Sequence, residues 1–127
     1  MSQIEKGFAV AFATALLSDA PRAGLRMGAA LYSGSRLLAV GANRWVTHPS
    51  SDNKEFNLSF HAEHVALVHR QHYDNTRRMT MYVGRRREDG TPGCSQPCNN
   101  CLELMRLAGV RRVWFYDVEN KQEVWAL

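Results

Sequence analysis

His61-Ala62-Glu63, followed well downstream by Pro97-Cys98-Asn99-Asn100-Cys101, constrains this chain more than any other feature. The side chains of His61, Cys98 and Cys101 are natural ligands for a zinc ion, and three protein ligands leave one tetrahedral position open, where a water can be held and activated. Cys98 and Cys101 are three apart, so in the first turn of a helix they share a face and can grip one ion. A helix N-terminus and a metal both favour thiolate over thiol. Two thiolates and a neutral imidazole balance the charge of Zn²⁺, which suits a reactive site better than a set of three or four thiolates. Glu63, two residues from a ligand, is then free to move protons.

Other arrangements of the same residue types stay open. Cys94 could join Cys98, Cys101 and His61 in a closed, purely structural Cys3His site, or be a loop thiol near the pocket. His64, three residues after His61, is an alternative ligand or a packing residue of the helix. His69 and His72 read as helix-end residues that need no metal. An isolated C-x-x-C is shared with redox dithiols, and an isolated H-x-E carries almost no information; their combination in this order is what is specific.

The combined pattern, H-x-E at 61–63 and P-C-x-x-C at 97–101, resembles the zinc-dependent cytidine/deoxycytidylate deaminase superfamily. The resemblance implies a hydrolase that converts cytosine to uracil, with Zn²⁺ as cofactor, His61, Cys98 and Cys101 as its ligands and Glu63 as the catalytic proton carrier. An adenine- or guanine-type deaminase would use the same chemistry. A non-catalytic, zinc-stabilised binding module is the third reading, and Glu63 argues against it, because a structural site has no use for an unliganded carboxylate beside a ligand.

The 127 residues, 45% of them hydrophobic, are expected to form one domain spanning 1–127 around one core. Glu5 and Lys6 interrupt the apolar N-terminus, so a signal peptide is not expected, and no run approaches a membrane span. Three cysteines, two committed to metal, argue for a reducing, cytoplasmic setting.

Ile4, Phe8, Ala11, Phe12 and Leu16 recur at helical spacing from Ser2 to Leu17. Met27 to Tyr32 and Arg36 to Val40 read as strands joined by Ser33-Gly34-Ser35 in a hairpin. A polar loop from Asn43 to Leu58 leads to a helix from about His61 to Gln71, capped by Ser59, with His61 and Glu63 in its first turn. Met79 to Arg85 is the third strand. The cysteine helix runs to Ala108 and stops at Gly109, and strands follow at Val113 to Tyr116 and Glu123 to Leu127. Asp117 to Gln122 is too short for a crossover, so the last two strands are expected antiparallel.

This order resembles the deaminase fold along nearly the whole chain. It implies an α/β, three-layer α/β/α architecture: a mixed five-stranded sheet with helices on both faces. A reversing turn between the last strands is similar to cytidine and blasticidin-type deaminases, whereas deoxycytidylate and tRNA adenosine deaminases typically place a helix there. His61 departs from the cysteine usual in cytidine deaminases. The stretch from Arg85 through Ser95-Gln96-Pro97-Cys98 to Gly109-Val110 and Tyr116 looks more like small deaminase-like proteins of phage and bacterial genomes.

For the substrate, the resemblance implies that Asn43 hydrogen-bonds base or sugar and that the backbone N–H of Ala62 reads the cytosine carbonyl; a turn asparagine is the plain alternative for the former. Trp45 and Tyr116 are stacking candidates that could equally be packing residues, and Phe60 a pocket wall. Sixteen Lys and Arg against twelve acidic residues give a net charge of +4, with arginine clusters at 77–78, 85–87 and 111–112. Arg85, Arg86 and Arg87 could track a single strand of DNA or RNA, hold one nucleotide phosphate, or be a solvated loop offset by Glu88 and Asp89. Charge tilts the expected partner slightly toward single-stranded nucleic acid over a free cytosine nucleoside or nucleotide. A homo-oligomer is compatible with either.

Overall fold

Gly34, with a φ of 60°, is the first of two residues that close the hairpin between β1 (Arg26–Ser33) and β2 (Arg36–Ala42). A left-handed first position is what a two-residue II′ turn requires, and glycine supplies it without a Cβ clash. The computed structural model describes residues 1–20, 23–45, 59–70 and 78–127, with backbone only at Ala23, Trp45, Ser59 and Phe60. Most of the polar loop expected at 43–58, together with Gln71, His72 and Arg77, lies outside the described residues.

The other strands are β3 (Arg44–Trp45), β4 (Ser59–Phe60), β5 (Met79–Arg86), β6 (Pro92–Gly93), β7 (Val110–Tyr116) and β8 (Gln122–Ala126). The main sheet runs β2-β1-β5-β7-β8, and β6 adds a short sixth strand against β5. β1 is antiparallel to both β2 and β5, β5 is parallel to β7, and β7 is antiparallel to β8. The expected antiparallel closing pair is therefore present, while the sheet has one more strand than expected and β3 and β4 form a separate ribbon. β7 begins at Val110 rather than Val113, because the ladder to β5 shifts register between Met79 and Thr80 and accommodates Arg111 and Arg112 within the strand.

Among the described residues three α-helices cover the sheet: α1 (Gln3–Ala15), α2 (Ala62–His69) and α3 (Asn99–Leu107). Alternation along the strands separates two cores. Ala29, Leu31, Met81, Val83, Val113 and Phe115 face Ala62 and Ala66 of α2 and Cys101 and Met105 of α3. Ala30, Tyr32 and Tyr82 face Phe8 and Ala11 of α1. This is the expected three-layer arrangement. Ser2 caps α1 by accepting a hydrogen bond from the Glu5 N–H at 3.1 Å. Among the described residues, no helix is long and apolar enough to cross a membrane.

Two expectations at the start of α2 need correction. Ser59 is in β4 and not a cap; the residue at the N-cap is His61, with extended backbone at φ −65° and ψ 150°. His61 therefore stands just outside the helix while Glu63 is in its first turn. α2 is seated by Gly41 of β2, where an added Cβ would lie 2.3 Å from the Ala66 nitrogen and 2.6 Å from the Ala62 oxygen. Only a residue without a side chain lets the helix backbone come this close.

Candidate active site

The parallel strands β5 and β7 stop pairing at Tyr82 and Trp114, and the segment leading to the cysteines enters where they part. Ser95 fills that opening. Its hydroxyl donates to the Val83 carbonyl at 2.8 Å and accepts from the Tyr116 N–H at 2.9 Å, and its own N–H donates to the Tyr116 carbonyl at 2.8 Å. At 1% exposure it leaves none of these groups to water. The next residues, Gln96, Pro97 and Cys98, are thereby held off the carboxyl ends of the strands, the usual place for a ligand site in sheets of this kind.

There the start of α3 meets the start of α2. His61 Nδ1 lies 3.2 Å from Cys101 Sγ and 3.4 Å from Cys98 Sγ, and the three ligand atoms fall within 4.8 Å of one another. A tetrahedral zinc with ordinary Zn–N and Zn–S bonds has an N···S edge of about 3.6 Å, so the set has the size of a metal site. Cys94 is not part of this group, and among the described residues no further ligand joins it. Cys98 occupies the N-cap of α3 and Cys101 its first turn, and both thiols reach the same His61 Nδ1.

Glu63 sits beside this cluster with 2% of its surface exposed, and its Oε1 is buried with no hydrogen-bond partner. Burial raises its pKa above the ordinary glutamate value, against the lowering effects of the Cys101 thiol and His61. Burial also pushes the Cys101 thiol up, with the Glu63 carboxylate adding to the effect. A buried thiol and carboxylate beside the exposed Cys98 fit a divalent cation, which would restore the thiolates. A water on such a cation would give the orphaned Oε1 its missing donor.

A pocket of about 180 Å³ opens over the cluster, lined by Met27, Asn43, His61, Glu63, Gln96, Pro97 and Cys98. Asn43 is buried; its Oδ1 accepts from the Met27 N–H at 2.9 Å and its Nδ2 donates to the Leu25 carbonyl at 2.9 Å. An amide has twice that capacity, so one lone pair and one N–H remain for a ligand. Ala62 is the first residue of α2, where backbone N–H groups have no partner within the helix.

A profile of the cytidine and deoxycytidylate deaminase zinc-binding region matches residues 1–117. The chain belongs to this family. The deaminase is therefore a zinc-dependent hydrolase, with His61, Cys98 and Cys101 placed to bind the ion. Solved structures with a similar fold include the cytidine deaminase of Burkholderia pseudomallei, at TM-score 0.70 and 20% identity over 99% of this chain and 93% of that one. The dCMP deaminase of cyanophage S-TIM5 follows at TM-score 0.61 and 22% identity, over 87% and 79% of the two chains. The cytidine deaminase of Mycobacterium leprae also gives 0.61, at 19% identity over 98% and 94%. A search of curated proteins finds no match.

Not every residue singled out in the deaminase's sequence reaches the site. Tyr116 does not line the pocket: strand alternation turns its ring to the α1 side of the sheet, with centroids 5.0 Å from Phe8 and 5.6 Å from Phe12, and its hydroxyl accepts from Gln122 Nε2 at 3.0 Å. The backbone of Trp45 pairs with Ser59, and its ring and that of Phe60 lie outside the description. The arginine run does not share one face. Arg85 continues the row of Met81 and Val83 on the α2/α3 side, whereas Arg86, in the alternate register, is on the α1 side opposite Arg26. Met27, Gln96 and Pro97 line the pocket without having been assigned a role from sequence.

Proposed function

We propose that this deaminase hydrolyses the exocyclic amine of cytosine in a (deoxy)cytidine-type substrate, releasing ammonia and leaving uracil. The observation that carries the reading is the buried Glu63 carboxylate, with one oxygen unpartnered, against a three-ligand cluster. When bound, zinc polarises a water and lowers its pKa, supplying the nucleophile at neutral pH. Glu63, held against the cluster with Oε1 unpartnered, would accept the proton that such a water gives up. It would then deliver that proton to the ring nitrogen and carry a second one, from the hydroxyl newly bonded to the ring carbon, to the amine, which leaves as ammonia while the carbonyl forms. Asn43 and the Ala62 N–H orient the base edge and sugar through their remaining hydrogen-bonding capacity.

The separation of Arg85 from Arg86 supports a free nucleoside or nucleotide over a polynucleotide track. Single-stranded nucleic acid is the second reading, favoured by the net charge of +4. A mass-spectrometric deamination panel tests both, setting cytidine, deoxycytidine and their monophosphates beside adenosine, guanosine and single-stranded oligonucleotides. Uracil from the cytosine monomers supports the proposal; turnover confined to purines or to oligonucleotides overturns it.

A further inference from the structure

A second, wide-open cavity is bounded by Gly24, Leu25, Arg85, Arg87, Glu88 and Asp89. It has no lining residue in common with the pocket over the metal cluster, but the stretch from Leu25 to Met27 runs from one to the other as a wall. Asn43 holds that wall by bonding the Leu25 carbonyl on one side and the Met27 N–H on the other, and Met27 is the cross-strand partner of Arg85. Arg85 Nε donates to the Gly24 carbonyl at 2.8 Å, which fixes the guanidinium plane. Its two Nη groups make no hydrogen bond or ion pair recorded among the described residues. A guanidinium held by Nε with its Nη edge uncommitted is a preorganised fork for phosphate oxygens. One oxygen of Asp89, Oδ1, accepts from the Thr91 N–H and hydroxyl at 3.0 and 2.6 Å, and among the described residues neither Asp89 nor Glu88 forms an ion pair with Arg85.

We propose that this cavity is a phosphate subsite in which Arg85, assisted by Arg87, holds the 5′-phosphomonoester of a free nucleotide whose base occupies the neighbouring pocket. The assignment rests on the deamination reading and deepens it by making Arg85 a specificity-determining residue. Glu88 and Asp89 keep the rim close to neutral, so an isolated anion gains little there and the base must help to hold the phosphate.

The test compares zinc-loaded wild type with Arg85→Gln, Arg85→Lys and Arg87→Gln on cytidine 5′-monophosphate and cytidine. Wild type should prefer the monophosphate in kcat/KM by at least about tenfold, and Arg85→Gln should collapse that ratio toward unity. Arg85→Lys should restore little, since it keeps charge but not the fork. If Arg85→Gln fails to fold, the exposed Arg87→Gln carries the test with a smaller fall in the ratio. Equal losses on nucleoside and monophosphate would give Arg85 a purely structural role and overturn the subsite. The same loss on an oligonucleotide with an internal cytosine would overturn the monoester assignment. Calorimetric titration of cytidine 5′-monophosphate into Glu63→Gln, with and without Arg85→Gln, separates the two readings: binding that depends on Arg85 upholds the subsite even if no substrate turns over, and binding indifferent to Arg85 overturns it even if cytosine is deaminated.

Discussion

Ser95 donates its hydroxyl to the carbonyl of Val83 at 2.8 Å, so a residue two positions before Pro97 is tied to the strand on which the metal loop rests. Replacing it with alanine leaves a buried carbonyl and the Tyr116 N–H without partners. Ser95→Ala should therefore lower stability by about 1–3 kcal/mol and weaken metal retention, read by denaturant titration and by zinc content after dialysis. Unchanged stability would mean that the loop is held by other contacts.

Zinc stoichiometry distinguishes the ligands from the neighbouring thiol. Cys94→Ser should return about one zinc per chain, whereas His61→Ala, Cys98→Ser and Cys101→Ser should each fall well below it. Loss of metal in Cys94→Ser alone would point to a closed structural site.

Glu63→Gln should keep the fold and the ion while turnover drops at least about a hundredfold, because the amide fills the same space but carries no proton. Near-normal rates in a zinc-loaded variant would remove Glu63 from the chemistry.

The same substitution has a pH signature in the metal-free protein. The folded pKa of Glu63 is raised, so above about pH 4, where the unfolded carboxylate ionises, the folded state retains a proton that the unfolded chain has released. Linkage then makes stability fall as pH rises through that window, at about 1.4 kcal/mol for each tenfold gain in proton affinity. Metal-free wild type should lose stability as pH rises above about 4 more steeply than metal-free Glu63→Gln, which lacks this titration. Parallel pH profiles of melting temperature would count against the raised value.

Gly41→Ala should cost about 1–3 kcal/mol and reduce activity even at temperatures where the protein stays folded, since the new methyl displaces the backbone of the helix that bears Glu63. Full activity in a destabilised Gly41→Ala protein would show that the helix moves without disturbing the site.

The metal-donor set and the succession of strands and helices were legible because both depend on local pattern: metal donors at fixed spacing, a hairpin around Gly34, and a connection after Tyr116 too short to cross over. Boundaries were less so. Ser59 has a good capping chemistry, but pairing with Trp45 takes it into a strand, and His61 takes the N-cap without a side-chain hydrogen bond there. Tyr116 follows a hydrophobic run, and nothing in that run says which face of the sheet each ring takes; the register with β5 and β8 decides it. Ser95 stood beside the motif, yet its role depends on two strands distant in sequence. The orientation of Arg85 was hidden for the same reason, since its anchor is a carbonyl at Gly24.

His61 and Cys101 are 40 positions apart in the chain, and the whole of β5 lies between them. An ion joining them closes a loop of that length, as a covalent cross-link would, and a permanent tie of this size removes roughly 4 kcal/mol worth of chain entropy from an unfolded polypeptide. Unlike a disulfide, this tie can be withdrawn and replaced. The ion that equips the protein for hydrolysis is thus also its reversible staple, and a chain that has not yet met zinc must hold its central strand in register by its ladders and packing alone.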